Sequence, residues 1–296
     1  MVMLDRYRDF VKERHAMWGR RYSGDPQPWT DDPILAGKKF CNIFRALDYG
    51  SQFVIKNLLE GDPADVLMRA FLYRITNRPE PWEAFYDRHG RFPTIQDLAT
   101  DAVLATFTTY DGPLFSPAYQ LHVGTQNKGM DKREWAVKLS KDVFVTQAYF
   151  PVDEALLARP ADLWAFLRRV PRIGPFLAMQ VVTDWNYSAY GGHENEFICA
   201  GPGSKRGAEL LAPGQTTESV IYELKDMWDR RADTPEIDLP GGGTHRLTLM
   251  DVQNSLCEFD KYIRHQGKSP KPYTPKNDLT HVDPTFPVGW YRKEPK

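Results

Sequence analysis

The sequence predicts an all-α fold with little strand content, organised around a helix-hairpin-helix element. Three observations carry this. Apolar residues recur at helical spacing along most of the chain. Strand-like alternation is scarce. The stretch Trp164–Gly207 places a Pro-x-x-Gly turn, VPRIGPFLA, between an amphipathic segment (Trp164, Leu167, Arg168) and one rich in small and apolar residues (Leu177, Ala178, Val181, Val182). Such a tight turn presents backbone N–H groups at the start of a helix, whose partial positive charge suits a phosphate. Pro171 and Gly174 equally suit a plain turn between two core helices.

The elements follow in order. Residues 4–20 read as a helix, with Leu4, Tyr7, Phe10, Val11 and His15 at helical spacing, and Ser23–Pro33 as a loop. Lys38–Leu59 reads as one long amphipathic helix with a polar middle. Asp62 and Pro63 supply a cap and first-turn proline for a helix over 64–76. PEPWEAFYDRHG forms a short helix closed by Gly90, and Thr94 caps another through about Leu104. TTYDGPLFSPAYQL is irregular. Helices are expected over 130–148, 153–158 and 161–169, the last leading into the hairpin at 164–182. Beyond Gly207 come a helix near 216–229, a glycine-rich hairpin PGGGTHRLT, a helix over 250–264 and a proline-rich tail. The expected organisation is an N-terminal helix and loop (1–34), one helical domain (35–265) and the tail (266–296).

Composition limits the function classes. The 296 residues are 42% hydrophobic and 26% charged, as in an ordinary water-soluble domain. No apolar run approaches the roughly 18 residues that span a bilayer. The N-terminus lacks the apolar centre of a signal peptide, so a cytoplasmic protein without membrane attachment is expected. Cys41, Cys199 and Cys257 are far apart and show neither metal-ligand spacing nor a disulfide framework. The net charge of −1 excludes a protein that coats DNA by bulk attraction, so any nucleic-acid contact must be local. Basic residues cluster at Arg168, Arg169 and Arg172, at Lys205 and Arg206, at Lys132–Lys141 and in the tail; the last two groups fit solvated surface.

Four polar clusters interrupt the apolar pattern. In Phe40–Asp48, Asn42, Arg45 and Asp48 are spaced by three, which suits either a buried Arg–Asp pair or the wall of a pocket. Arg74 and Asn77 lie at a helix end before Pro79, where a C-terminal cap is the first reading. Glu194–Gly207 gathers three glycines with Ser204, Lys205 and Arg206, able to wrap an anion through backbone N–H groups. Its carboxylates Glu194 and Glu196 fall 20 and 22 residues after Gly174. In Asp251–Tyr262, Glu258 and Lys261 form an i,i+3 pair, ordinarily a surface feature.

Taken together, FCNIFRALD, LYRITNRPEPWE, RIGPFLAMQVVTDWNYS, ENEFICAGPGSKRG and DVQNSLCEFDKY resemble, in this order, the α-glutamyl/putrescinyl thymine pyrophosphorylases, or amino acid:DNA transferases. These share a helical domain with the 5-hydroxymethyluracil DNA kinases of bacteriophages. The resemblance spans about residues 35–265 and implies a helical fold like that of helix-hairpin-helix DNA glycosylases, whose catalytic aspartate lies at about the offset of Glu194 and Glu196. It implies an enzyme in the cytoplasm of an infected bacterium. There, an amino acid or polyamine displaces pyrophosphate from 5-(pyrophosphoryloxymethyl)uracil in double-stranded DNA. In these terms Glu196 or Asp48 is the candidate proton acceptor, with Glu194 beside them as a further catalytic candidate. Gly201, Gly203, Lys205 and Arg206 face the pyrophosphate. Asn42, Arg45 and Arg74 bind the donor carboxylate or the uracil edge, with Asn77, Asp184, Asn186, Glu258 and Lys261 as further substrate-binding candidates. Arg169, Arg172, Ile173 and Gly174 contact the DNA backbone. Trp185, Tyr187 and Phe197 are stacking candidates for a flipped base, or simply core. No cofactor is implied beyond a Mg²⁺ ion carried by pyrophosphate, which needs little protein coordination. One departure is that no lysine follows the hairpin before Lys205, so a lysine-based lyase route is not expected. Two other readings stand beside this one: a glycosylase that cuts the N-glycosidic bond of a modified pyrimidine, and a non-catalytic DNA-binding module. The chain carries no G-x-x-x-x-G-K-[ST] phosphate loop, which argues against a kinase.

Overall fold

In the computed structural model, residues 2–117, 129–148, 159–267 and 283–291 are described. The fold is all-α: among these residues lie thirteen α-helices, two short 3₁₀ turns and one two-stranded ribbon. None of these helices is long and apolar enough to cross a membrane. The chain forms two compact units, Met1–Asp48 with Phe197–Phe286, and Tyr49–Glu196 with Pro287–Lys296.

The first unit holds α1 (Val2–Tyr22), α2 (Pro33–Gly37) and a 3₁₀ turn at Arg45–Leu47. Its C-terminal half continues with α11 (Pro202–Leu211), α12 (Thr217–Asp229), strands β1 (Glu236–Asp238) and β2 (Thr244–Arg246), and α13 (Leu249–His265). The strands pair antiparallel with Ile237 opposite His245, as the PGGG turn predicts. Its core is aromatic. Tyr7 meets Phe259 edge-on at 5.5 Å, Phe10 lies 5.2 Å from Tyr262, and the buried Tyr7 hydroxyl is 2.6 Å from Ser255 Oγ.

The second unit holds α3 (Tyr49–Asn57), α4 (Pro63–Thr76), α5 (Glu80–His89), α6 (Ile95–Ala99), α7 (Ala102–Thr109) and α8 (Lys132–Phe144). It is completed by α9 (Pro160–Leu167), α10 (Pro175–Tyr187) and a 3₁₀ turn at Val288–Tyr291. Every residue of α4 from Val66 to Thr76 is buried, Arg69 and Arg74 included, which makes α4 the central helix of the unit. It packs against α8 and α10, with Phe71 on Phe144 of α8, while Tyr73 meets Trp82 of α5.

Most caps fall where the sequence places them. Asp62 accepts from the Ala64 amide, Thr94 and Asp97 form a capping box, and Gly90 ends α5 at φ 70°. Two expectations need correction. The long helix over Lys38–Leu59 does not form; the chain instead makes the 3₁₀ turn and then α3. Asp48 accepts from the Asn42 amide at 2.8 Å, and Asn42 Nδ2 donates to the Leu47 carbonyl at 2.7 Å. These side chains take over backbone partners that a helix would need. The helix capped by Thr94 also ends early, because Asp101 is left-handed (φ 61°) and separates α6 from α7. The helix expected at 153–158 lies outside the described residues.

Candidate functional site

In the second unit, α9 and α10 are joined by the tight turn Arg168–Gly174. Arg172 takes a left-handed conformation at φ 70°, and the Ile173 amide closes the turn on the Val170 carbonyl at 3.2 Å. Two side chains tie down turn carbonyls: Arg168 Nη1 donates to Ile173 O at 2.6 Å, and Trp164 Nε1 to Pro175 O at 3.0 Å. Gly174 is the N-cap of α10. Arg169 and Arg172 are exposed, whereas the Ile173 side chain is buried in the core. Any contact made by Ile173 with a partner is therefore limited to its backbone.

The last turns of α4 and α10 meet through a buried ion pair. Arg74 donates Nε and Nη2 to the two carboxylate oxygens of Asp184, each at 2.5 Å, and Nη1 to Asn77 Oδ1 at 3.2 Å. Asn77 is left-handed (φ 49°) and caps α4, so the capping reading of its sequence position holds. The Asn186 side chain is buried, and its Oδ1 has no hydrogen-bond partner among the described residues. Glu194 accepts a hydrogen bond from Trp290 Nε1 at 2.7 Å. Glu196 is exposed and closes a turn with His193, the His193 amide donating to Glu196 Oε1 at 3.3 Å.

In the first unit, Asn42, Arg45, Asp48, Glu258 and Lys261 share one neighbourhood. Arg45 Nη1 donates to Asp48 Oδ2 at 3.1 Å, while its amide donates to Asp251 Oδ1 at 2.7 Å. Glu258 accepts from the Cys41 amide at 3.0 Å and from Lys261 Nζ at 3.3 Å. Lys261 also caps the Lys39 carbonyl and sits 4.7 Å from the Phe40 ring centroid. Sequence reasoning missed three members of this group: Arg14, which donates to Asn42 Oδ1 at 2.9 Å; Asn254, which holds the Asn42 carbonyl at 2.8 Å; and Asp251. Only Asp251 left a signal, as the N3 residue of a Thr-x-x-Asp capping box. Burial, reinforced by the nearby Asp48 charge, pushes its carboxyl up to about 6, against three donors that favour the anion. Burial and the Asp48 and Glu258 charges push the Cys41 thiol well up, so Cys41 is not a thiolate nucleophile at neutral pH.

The glycine-rich segment is a helix start, not an open wrap. Gly201 is the N-cap of α11 and Pro202 its first residue. Gly203 and Gly207 have a packing reason of their own. A Cβ on Gly203 would lie 2.1 Å from Cys257 Sγ, and one on Gly207 would lie 2.2 Å from the Leu256 carbonyl oxygen. These glycines let α11 and α13 approach closely. Lys205 is exposed, and Arg206 Nε donates to the buried Asp260 at 2.9 Å. No group of three or more His, Cys, Asp or Glu side chains able to hold a metal occurs among the described residues.

The comparisons decide the family. Residues 1–271 match the model for the helical domain of 5-hmdU DNA kinase. The chain belongs to this family. A 5-hmdU DNA kinase of Bacillus phage SP10 is 23% identical over 314 aligned residues, covering 91% of this chain and 48% of the relative. The chain thus spans about half the length of the curated relative it matches. No solved structure matches it.

Proposed function

We propose that the chain modifies thymine-type bases in phage DNA, replacing the pyrophosphate of 5-(pyrophosphoryloxymethyl)uracil with an amine. The observation that carries the reading is a helical domain typical of 5-hmdU DNA kinases in a sequence that holds no phosphate-binding loop. These residues thus lack the loop that cradles ATP phosphates in P-loop kinases, and the proposed displacement needs none.

The reaction balances as a displacement at the exocyclic methylene. The carbon–oxygen bond to pyrophosphate breaks, the bonding pair leaves with pyrophosphate, and a carbon–nitrogen bond forms. The donor must arrive as a free amine, so its ammonium proton passes to a carboxylate. Glu196 is the first candidate because it is exposed and its hydrogen bonds among the described residues stay within its own turn. Asp48 is the second, although it already serves Asn42 and Arg45. Lys205 and the first amides of α11 suit the departing pyrophosphate. Arg169, Arg172 and the start of α10 suit the DNA backbone.

Nucleoside mass spectrometry tests the reading. DNA bearing the pyrophosphorylated base is incubated with the protein, amino acids and polyamines, then digested. A thymidine adduct formed with loss of pyrophosphate supports the transferase and identifies the donor. Abasic sites would replace it with a glycosylase. Bound but unaltered DNA would leave a non-catalytic DNA-binding module. That second reading is favoured by how many candidate groups are already engaged within the fold: Asp184 by Arg74, Glu258 by Cys41 and Lys261, Glu194 by Trp290.

A further inference from the structure

The C-terminal 3₁₀ turn, Val288–Tyr291, belongs to the same compact unit as the loop from Ser188 to Glu196, although about a hundred residues separate them. Trp290 is buried to 8% exposure and donates Nε1 to Glu194 at 2.7 Å. Gly289 lies so close to the end of α10 that a Cβ there would come within 2.3 Å of the Asn186 carbonyl oxygen. Gly191 approaches the same stretch of backbone, its Cβ position 2.3 Å from the Trp185 carbonyl oxygen. Two glycines thus allow the loop and the C-terminal turn each to pack directly on the last turn of α10. Both Gly289 and Trp290 fall beyond residues 1–271, the part matched to the helical-domain family.

We propose that Trp290 is a positioning residue. Through Glu194 it clamps the Ser188–Glu196 loop, and so fixes Glu196 two residues further on. Glu194 is then the acceptor of the clamp, not the base. The positioning role rests on the transferase reading, but the clamp itself does not. A hydrogen bond to a carboxylate is among the stronger ones a side chain makes, so its loss should be visible in the loop.

The test is hydrogen exchange of the loop amides together with transfer kinetics, in the full chain. Trp290→Phe keeps the ring and removes the donor. It should speed exchange over residues 188–196 by roughly tenfold or more while leaving α4 unchanged. It should lower kcat with little change in KM for DNA. Gly289→Ala, which alters no polar group, should loosen the same loop. Glu194→Ala should loosen the loop at least as much as Trp290→Phe, and adding Trp290→Phe to it should change loop exchange by less than it does alone. Wild-type loop protection in Trp290→Phe would overturn the clamp. Fast loop exchange with unchanged kcat would overturn the positioning role. Absence of transfer by the unaltered protein would overturn the transferase reading, with it the positioning role, and leave exchange to judge the clamp.

Discussion

Replacing Asp184 with Asn should be among the most damaging single changes in the second unit. The Asp184 side chain is fully buried and that of Arg74 is 2% exposed. The substitution removes the charge that balances a buried guanidinium and turns one acceptor oxygen into a donor facing Arg74. Breaking such a pair from one side costs about 3–5 kcal/mol, because the remaining charge stays buried and uncompensated. For a unit of this size, each kcal/mol lowers Tm by roughly 2–4 °C, so a fall on the order of 10 °C is expected. Removing both charges with apolar side chains, as in Arg74→Met with Asp184→Leu, should restore most of the loss, since isosteric apolar pairs replace buried ion pairs at little cost. Urea denaturation followed by circular dichroism measures both variants. A single variant within about 1 kcal/mol of the parent would refute the reasoning, since that is far below the expected cost. The double variant also sorts structure from function. If it is stable and active, the pair serves the fold; if it is stable and inactive, the pair meets substrate.

Other outcomes follow from the same structure. Gly203→Ala should cost about 1–3 kcal/mol by overpacking against Cys257, and Cys257→Ala in the same chain should recover part of it; denaturation midpoints decide. Asp251 should make stability depend on pH. Its carboxyl is near 3.9 when unfolded and raised to about 6 in the fold, so the folded state binds the proton more tightly. Its contribution is full below pH ~4 and is lost as pH rises through about 6, a change on the order of 2–3 kcal/mol that Asp251→Asn should abolish. Arg169→Ala with Arg172→Ala should weaken DNA binding across sequences and reduce the salt slope by about two, as a fluorescence titration at several salt concentrations would show. Glu196→Gln should abolish transfer and leave DNA affinity intact; full activity would remove Glu196 as the base.

The helices legible in the sequence were those with both periodicity and a local stop signal. Asp62-Pro63, Thr94 and Gly90 each set a boundary through their own backbone chemistry, and the structure agrees. The segment Lys38–Leu59 misled because its periodicity is genuine, yet Asn42 and Asp48 spend their hydrogen bonds on the chain nearby. Of the candidate site, sequence spacing found the Arg45–Asp48 and Glu258–Lys261 pairs, which lie within one helical turn of each other. It named Arg74 and Asp184 without pairing them, because their contact spans 110 residues. Trp290 and Arg14 were invisible for the same reason: nothing in their neighbours foretells a partner so distant along the chain.

The chain passes from one compact unit to the other at Asp48–Tyr49, Glu196–Phe197 and Phe286–Pro287. This bears on folding during synthesis. Residues 49–196 emerge as one uninterrupted run and can collapse around α4 while synthesis continues. The first unit has no such freedom. Phe40 and Asn42 reach α1 early, but Tyr7 waits for Ser255 and Phe259, so the core of α1 is completed only once α13 has left the exit tunnel. Truncation before α13 should therefore leave Tyr7 without Ser255 and Phe259 while α4, α8 and α10 still pack on one another.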